Sequence, residues 1–266
     1  MRSQVGGKAT KQRKFTKEFF TMKKIIFFTP KGGVGKTTSV LELADKLCGQ
    51  SKKVVIVDAD PQCNLTTQLV GIENFRKMYK EGYPNIHSAL SPCFHGEPVL
   101  IKSPDLVKTE RGYLLCGSML LQEYEYMLSL AQNTQGVILS GNLVGSFSYL
   151  FEKIEEKYNP DWMLIDVSPS IGAINQNLFL QSDSWIVPII DDTFGVMTLD
   201  LLCRIIPTWF QQGTDMQSVF NKEYYPFKVQ MENFLGFSVR KDSNGLSDAI
   251  ADFHSKLGSY FKTFQR

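Results

Sequence analysis

The chain has 266 residues, 43% of them hydrophobic, enough for one sizeable core and better suited to one large α/β domain than to two small ones. Its formal net charge is +2, so it is no general magnet for polyanions, and any nucleic-acid binding must come from a local patch. Cys48, Cys63, Cys93, Cys116 and Cys203 include no C-x-x-C pair, which argues against a zinc site or a disulfide framework and for free thiols in a reducing cytosol; no apolar run approaches the ~20 residues of a membrane span.

Residues 1–22 read as a basic N-terminal extension. Arg2, Lys8, Lys11, Arg13, Lys14 and Lys17 stand there against Glu18 alone, with no apolar signal-peptide core before Ile25. Three readings stay open: a basic arm that touches nucleic acid or acidic lipid, a tail without a role, or an extension upstream of a start at Met22.

Residues 25–29 form an apolar run that predicts a buried strand. Glycines 32, 33 and 35 follow, and then a helical spacing of Val40, Leu41, Leu43, Ala44 and Leu47 that stops at Gly49. Residues 54–57 predict a second buried strand ending in Asp58-Ala59-Asp60-Pro61. Strand, helix, strand over this span is a βαβ unit, which requires a parallel pair. From 71 to 108 the pattern is less regular, with Pro84, Pro92, Pro98 and Pro104 read as breakers. Residues 113–116 predict a third strand, 119–132 and 142–158 helices, and 162–166 a buried strand with an acidic end. Then come a helix at 171–181, a strand at 185–190, a helix at 195–210 with Pro207 near its end, and a strand at 234–240. A final helix begins near Ser247, with Leu246, Ile250, Phe253, Leu257, Phe261 and Phe264 on one stripe. Strand and helix alternate almost throughout, the pattern of a doubly wound, mostly parallel α/β sheet. Such sheets bind ligands at the carboxyl ends of their strands, where the glycine-rich and acidic segments fall.

The strongest chemical signal is Lys31-Gly32-Gly33-Val34-Gly35-Lys36-Thr37-Thr38. A loop that wraps phosphates needs backbone N–H groups turned inward, and glycine permits the dihedrals and the close approach. Lys36 can reach the β- and γ-phosphates of ATP, and the Thr37 hydroxyl can bind Mg2+. The opening helix adds the positive end of its dipole. A glycine-rich turn with incidental lysines is the plain alternative, and the strand before and helix after argue against it.

Pro30 stands where the standard pattern has its first glycine, and Lys31 is an additional lysine. The motif thereby resembles the deviant Walker A loop of the ParA/MinD family of P-loop NTPases. The run Asp58-Ala59-Asp60-Pro61-Gln62-Cys63-Asn64-Leu65-Thr66 resembles the D-x-D-P-Q-x-N-x-T pattern of its ParA branch. Leu164-Ile165-Asp166-Val167-Ser168-Pro169-Ser170 is similar to its Walker B segment, with Ser168 where a proline is common. Asn175 and the Asp183–Pro188 stretch fit the family more loosely, and Asn175 reads equally as a helix-surface amide. The resemblance spans about residues 24 to 250. It implies a homodimer with ATP sandwiched between subunits, in which Lys31 crosses to the partner's phosphates and stabilises the transferring group as an arginine finger does. It implies Thr37, Asp58 and Asp166 in the magnesium shell and Asp60 orienting the attacking water. Residues 23–266 would then be a single ATPase domain, shortened at its C-terminus relative to the family.

Function follows the same resemblance: a slow, partner-stimulated ATPase that partitions plasmid or chromosomal DNA. The dimer would coat DNA non-specifically in the cytoplasm, and a ParB-like adaptor would trigger hydrolysis. Lys222, Lys228, Arg240, Lys241, Lys256, Lys262 and Arg266 are candidates for the DNA surface, or else ordinary solvated charges. A related switch positioning another cargo on membrane or nucleoid, and a nucleotide-binding module without turnover, are the alternatives. The C-terminal stripe lacks the dense basic face of a membrane-lying helix, so core packing is expected of it.

Overall fold

The computed structural model describes residues 22–133, 138–220, 223–230, 233–240 and 246–264. Seven strands run in chain order: β1 Lys23–Phe27, β2 Val54–Ala59, β3 Val107–Thr109, β4 Gly112–Leu115, β5 Trp162–Val167, β6 Ser184–Ile190 and β7 Asn233–Arg240. The helices are α1 Lys36–Gly49, α2 Asn64–Val70, α3 Ile72–Lys80, α4 Ile86–Phe94, α5 Glu123–Asn133, α6 Ile138–Tyr158, α7 Ala173–Leu180, α8 Thr193–Phe220 and α9 Ser247–Phe264, with a 3-10 turn at Met119–Gln122.

The strands form one sheet in the order β3-β4-β2-β5-β1-β6-β7. Every neighbouring pair is parallel except the β3–β4 hairpin. All six residues of β2 are buried, as expected of a strand covered on both faces. Alternate residues feed two cores. Ile26, Val55, Val57, Met163 and Ile165 point to the larger one, built with α4 to α9. Ile25, Phe27, Val54, Ile56 and Leu164 point to the smaller one, closed by Val40, Leu41 and Ala44 of α1 and Leu65 of α2. The doubly wound architecture expected from the sequence is the one observed.

Several expectations change in detail. The stretch read as irregular contains α3 and α4, and α4 runs through Pro92 from a capping box in which the Asn85 side chain accepts the Ser88 N–H. Helix α8 passes Pro207 and ends at Phe220, because Trp209, Phe210, Met216 and Phe220 continue its buried face beyond the proline. That helix is also long and apolar enough by composition to cross a bilayer, though Asp200 and Arg204 interrupt its apolar run and Leu199, Leu202 and Ile206 pack it into the core. In α9, Phe253 and Leu257 are buried as the stripe requires, while the side chains of Phe261 and Phe264 lie outside the described residues. Residues 1–21 of the basic extension also lie outside them, and Met22 is in the core.

Candidate functional site

Four adjacent strands deliver the expected residues to one edge of the sheet. The loop after β1 carries Lys31 to Gly35, β2 ends in Asp58 with Asp60 just beyond, β5 ends beside Asp166, and β6 runs into Asp192. The chain turns from β1 into α1 through Gly33 at φ 74° and Gly35 at φ 94°, a left-handed region that a side chain strains. Gly35 is the N-cap of α1, and no side chain caps that helix or places an acid in its first turn. Its first N–H groups and its dipole are therefore left for an anion. Lys36 is almost fully buried, with its ammonium folded onto the loop's own carbonyls, 3.1 Å from Lys31 O and 3.4 Å from Thr29 O. Burial lowers its pKa, against the opposing pull of Asp166 and Asp60.

Asp58 and Asp166 are register partners on β2 and β5, side by side at the strand ends. Asp58 is fully buried; its Oδ2 accepts the Thr66 N–H at 2.8 Å and the Thr66 hydroxyl at 2.6 Å. The same hydroxyl accepts the Gly117 N–H at 2.8 Å. Asp166 Oδ2 accepts the Thr37 hydroxyl at 2.7 Å, while its Oδ1 is buried without a partner among the described residues. Burial raises both carboxyls, Asp58 to about 6 and Asp166 to about 7; the Thr66 and Thr37 bonds oppose the shift, and each carboxylate is further raised by acidic neighbours. Asp60 has left the strand, and its Oδ1 accepts the Gln62 N–H at 2.9 Å.

Two buried acids, one with an orphaned oxygen, and a hydroxyl make an incomplete oxygen set that a hard cation would complete. Among the described residues no three His, Cys, Asp or Glu side chains gather closely enough to hold a metal alone. That fits Mg2+, which is commonly held by one or two carboxylates together with substrate phosphates and water.

The structure brings Gly32, Gly33, Val34, Gly35, Lys36, Thr37 and Thr38 into the loop and first turn, with Asp58, Asp60 and Asp166 facing them. Lys31 is at the rim, where its ammonium bonds both carboxylate oxygens of Asp192 and lies over the Phe194 ring. Asn175 is not a surface amide: it is buried, and its Nδ2 donates to Ser168 O and Ser170 O at 2.8 Å each, fixing the turn after Asp166. Asp183 stands at the opposite end of its strand and accepts the Lys24 N–H at 2.7 Å, a structural task. Of the candidate DNA cations, Lys256 is bound by Asp252, Arg240 lies over Gly35, and Lys222, Lys241, Arg266 and the Lys262 side chain lie outside the described residues.

A family model described as an AAA domain matches residues 22–217. The virulence plasmid ParA family protein pGP5-D of Chlamydia psittaci is 29% identical over 245 residues, which cover 84% of this chain and 86% of that protein. The chromosome-partitioning ATPase Soj of Treponema pallidum is 27% identical over 188 residues, 69% of this chain and 63% of Soj, so the match spans less than two thirds of that relative. The chain belongs to the ParA/MinD family. Cobyrinic acid a,c-diamide synthase of Mycobacterium smegmatis, solved with bound ATP analogue and magnesium, superposes with a TM-score of 0.59 at 23% identity over 88% of this chain and 82% of that one. At that identity the likeness is one of fold.

For a ParA/MinD chain, the sequence motifs assigned no role to three members of this site. Thr66 was within the quoted ParA pattern, but its double bond to Asp58 depends on how α2 packs against β2. Asp192 and Arg240 carry no motif. They meet the loop only because β6 and β7 stack beside β1.

Proposed function

We propose that this chain is an ATP-dependent, dimerising switch ATPase of the ParA type that partitions DNA in the cytoplasm. The observation that carries the reading is the uncapped α1 N-terminus with Lys36 folded inside its glycine loop. Lys36 exchanges its bonds to the Lys31 and Thr29 carbonyls for the phosphates of ATP, which the first N–H groups of α1 also hold. Thr37, Asp58 and Asp166 would hold Mg2+, Asp166 giving up the hydrogen bond it accepts from the Thr37 hydroxyl. When bound, the ion neutralises phosphate charge that would otherwise resist attack. Asp60 orients the attacking water, and Lys31 leaves Asp192 to reach the phosphates of a second copy. The structural relative with bound ATP analogue and magnesium supports this choice of cofactors.

A second copy is also supported by the surface around Lys31. Ile171, Phe194 and Met197 expose 51%, 64% and 60% of their area beside the site, and Leu201 extends the α8 stripe. Non-specific DNA binding would follow dimerisation, and an adaptor of the ParB kind would accelerate a slow intrinsic turnover. The names of the plasmid and chromosome-partitioning relatives support that task.

The test is ATP binding and hydrolysis, with and without duplex DNA, in wild type, Lys36→Ala and Asp60→Ala. Loss of binding is expected in the first variant, and loss of turnover with retained binding in the second. A wild type without affinity for ATP and magnesium would sink the reading.

A further inference from the structure

We propose that Arg240 is a phosphate ligand of the nucleotide site, reaching from the end of β7 across Gly35 to the start of α1. The inference rests on the nucleotide reading above and adds a residue that no motif assigns.

The position of Arg240 is fixed from two sides. It is the register partner of Ile190 at the end of β6, and its carbonyl accepts the Asp191 N–H at 3.3 Å. Two residues earlier, the Ser238 hydroxyl is 2.7 Å from the Ser39 hydroxyl in the first turn of α1. The end of β7 is thus tied to the helix that follows the glycine loop. From there the side chain runs over the loop. A β-carbon placed on Gly35 would lie 3.2 Å from Arg240 Cδ, 3.7 Å from Nε and 3.6 Å from an Nη.

This is an unfavourable place for a cation unless an anion is there too. A helix N-terminus carries positive partial charge, and basic residues beside it are destabilising. Helix α1 offers no relief, having neither a side-chain cap nor an acid in its first turn, and Lys36 already brings one charge. Arg76 and Arg111 each bond a carboxylate, of Glu73 and Asp45. The Arg240 guanidinium has no such partner among the described residues, and it is exposed. A free guanidinium, a buried ammonium and a bare helix N-terminus converge, and a di- or triphosphate balances all three. The planar fork of arginine matches two phosphate oxygens, which a lysine cannot do.

The experiment is calorimetric titration of ADP and a non-hydrolysable ATP analogue, with Mg2+, into the full chain as wild type, Arg240→Lys and Arg240→Ala. Removing one charge-assisted contact should weaken both nucleotides about tenfold in Arg240→Ala. Arg240→Lys, which keeps the charge and loses the fork, should fall between. The melting temperature without nucleotide should fall in neither and should rise slightly in Arg240→Ala, where a cation with no carboxylate partner among the described residues leaves the helix N-terminus. Equal affinities in all three proteins overturn the proposal. So does equal nucleotide affinity with weakened duplex-DNA binding, which would return Arg240 to the DNA surface. A wild type that binds neither nucleotide defeats the parent reading; a wild type that binds while Arg240→Ala binds as well defeats this one alone.

Discussion

The Lys31 ammonium is 2.7 Å from Asp192 Oδ2 and 2.9 Å from Oδ1, so the lysine that distinguishes this loop is engaged within its own chain. The same carboxylate accepts the Gly195 N–H at 2.7 Å, at the start of α8. Bonding to Lys31 holds the Asp192 carboxyl below its usual range. Lys31 can therefore reach a partner's phosphates only by giving up Asp192. Asp192→Asn keeps an oxygen for Gly195 and removes the competing charge. It is expected to raise the dimer fraction at a given ATP concentration, read by sedimentation. The apo melting temperature should barely move, since exposed ion pairs contribute little. A lower dimer fraction would instead make Asp192 a support for Lys31 in the dimer.

The paired acids set a pH dependence. Burial lifts Asp58 to about 6 and Asp166 to about 7 in the fold, while an unfolded aspartate titrates at about 3.9. Between those values the fold retains protons that the unfolded chain has released, so stability falls as pH rises through the folded values. The apo protein is expected to melt higher at pH about 5.5 than at pH about 8, and Asp166→Asn to flatten most of that slope. Magnesium needs the ionised carboxylates, so the rise in melting temperature given by ATP with magnesium should grow toward the alkaline side. A nucleotide effect independent of pH would remove Asp166 from the metal site.

Strand ends were the legible part of this molecule. Glycines after β1 and aspartates at the ends of β2 and β5 are local signals, and the sheet order brought them together as their positions in the motifs required. Helices between 64 and 94 were less legible. No residue of α3 is fully buried, only Phe75 and Met78 being half-buried, Met78 against the smaller core, so its stripe is short, and Pro92 masked α4, whose start is fixed by the Asn85–Ser88 capping box. Trp209, Phe210, Met216 and Phe220 could have carried α8 past Pro207, because a continuing buried face offsets the cost of one proline, about 3 kcal/mol. Asp192 and Arg240 could not be found from local pattern. Their contacts with Lys31 and Gly35 are made by strand order across the whole sheet.

Thr66 tests how much the buried acid depends on its support. Its hydroxyl donates to Asp58 at 2.6 Å and accepts the Gly117 N–H at 2.8 Å. Thr66→Val preserves the shape, removes one bond to a buried carboxylate and strands a buried N–H. The expected loss is about 1–3 kcal/mol in urea unfolding at neutral pH. Without the hydroxyl the Asp58 carboxyl should rise further, so magnesium-dependent nucleotide binding at neutral pH should weaken too. Thr66→Ser keeps the hydroxyl and should recover most of both. Full stability in the valine variant would mean that water replaces the hydroxyl.

Two glycines far from the loop separate packing from backbone freedom. A β-carbon on Gly145 in α6 would lie 1.8 Å from the Tyr225 carbonyl oxygen and 2.6 Å from its carbon. That backbone is held in place, since the Tyr225 N–H donates to Asn142 Oδ1 at 3.2 Å and its hydroxyl accepts the Ile101 N–H at 3.1 Å. The obstacle is main chain, which cannot rotate aside as a side-chain end can. Gly145→Ala should therefore lose at least the ~1–3 kcal/mol typical of overpacking, with nucleotide affinity of the folded fraction unchanged. Gly49, the last residue of α1, has nothing within 4 Å of its would-be β-carbon. Gly49→Ala should be neutral or stabilising by up to about 1 kcal/mol, because alanine costs less backbone entropy in a helix. Equal effects of the two substitutions in denaturant unfolding would contradict the close approach of α6 to Tyr225.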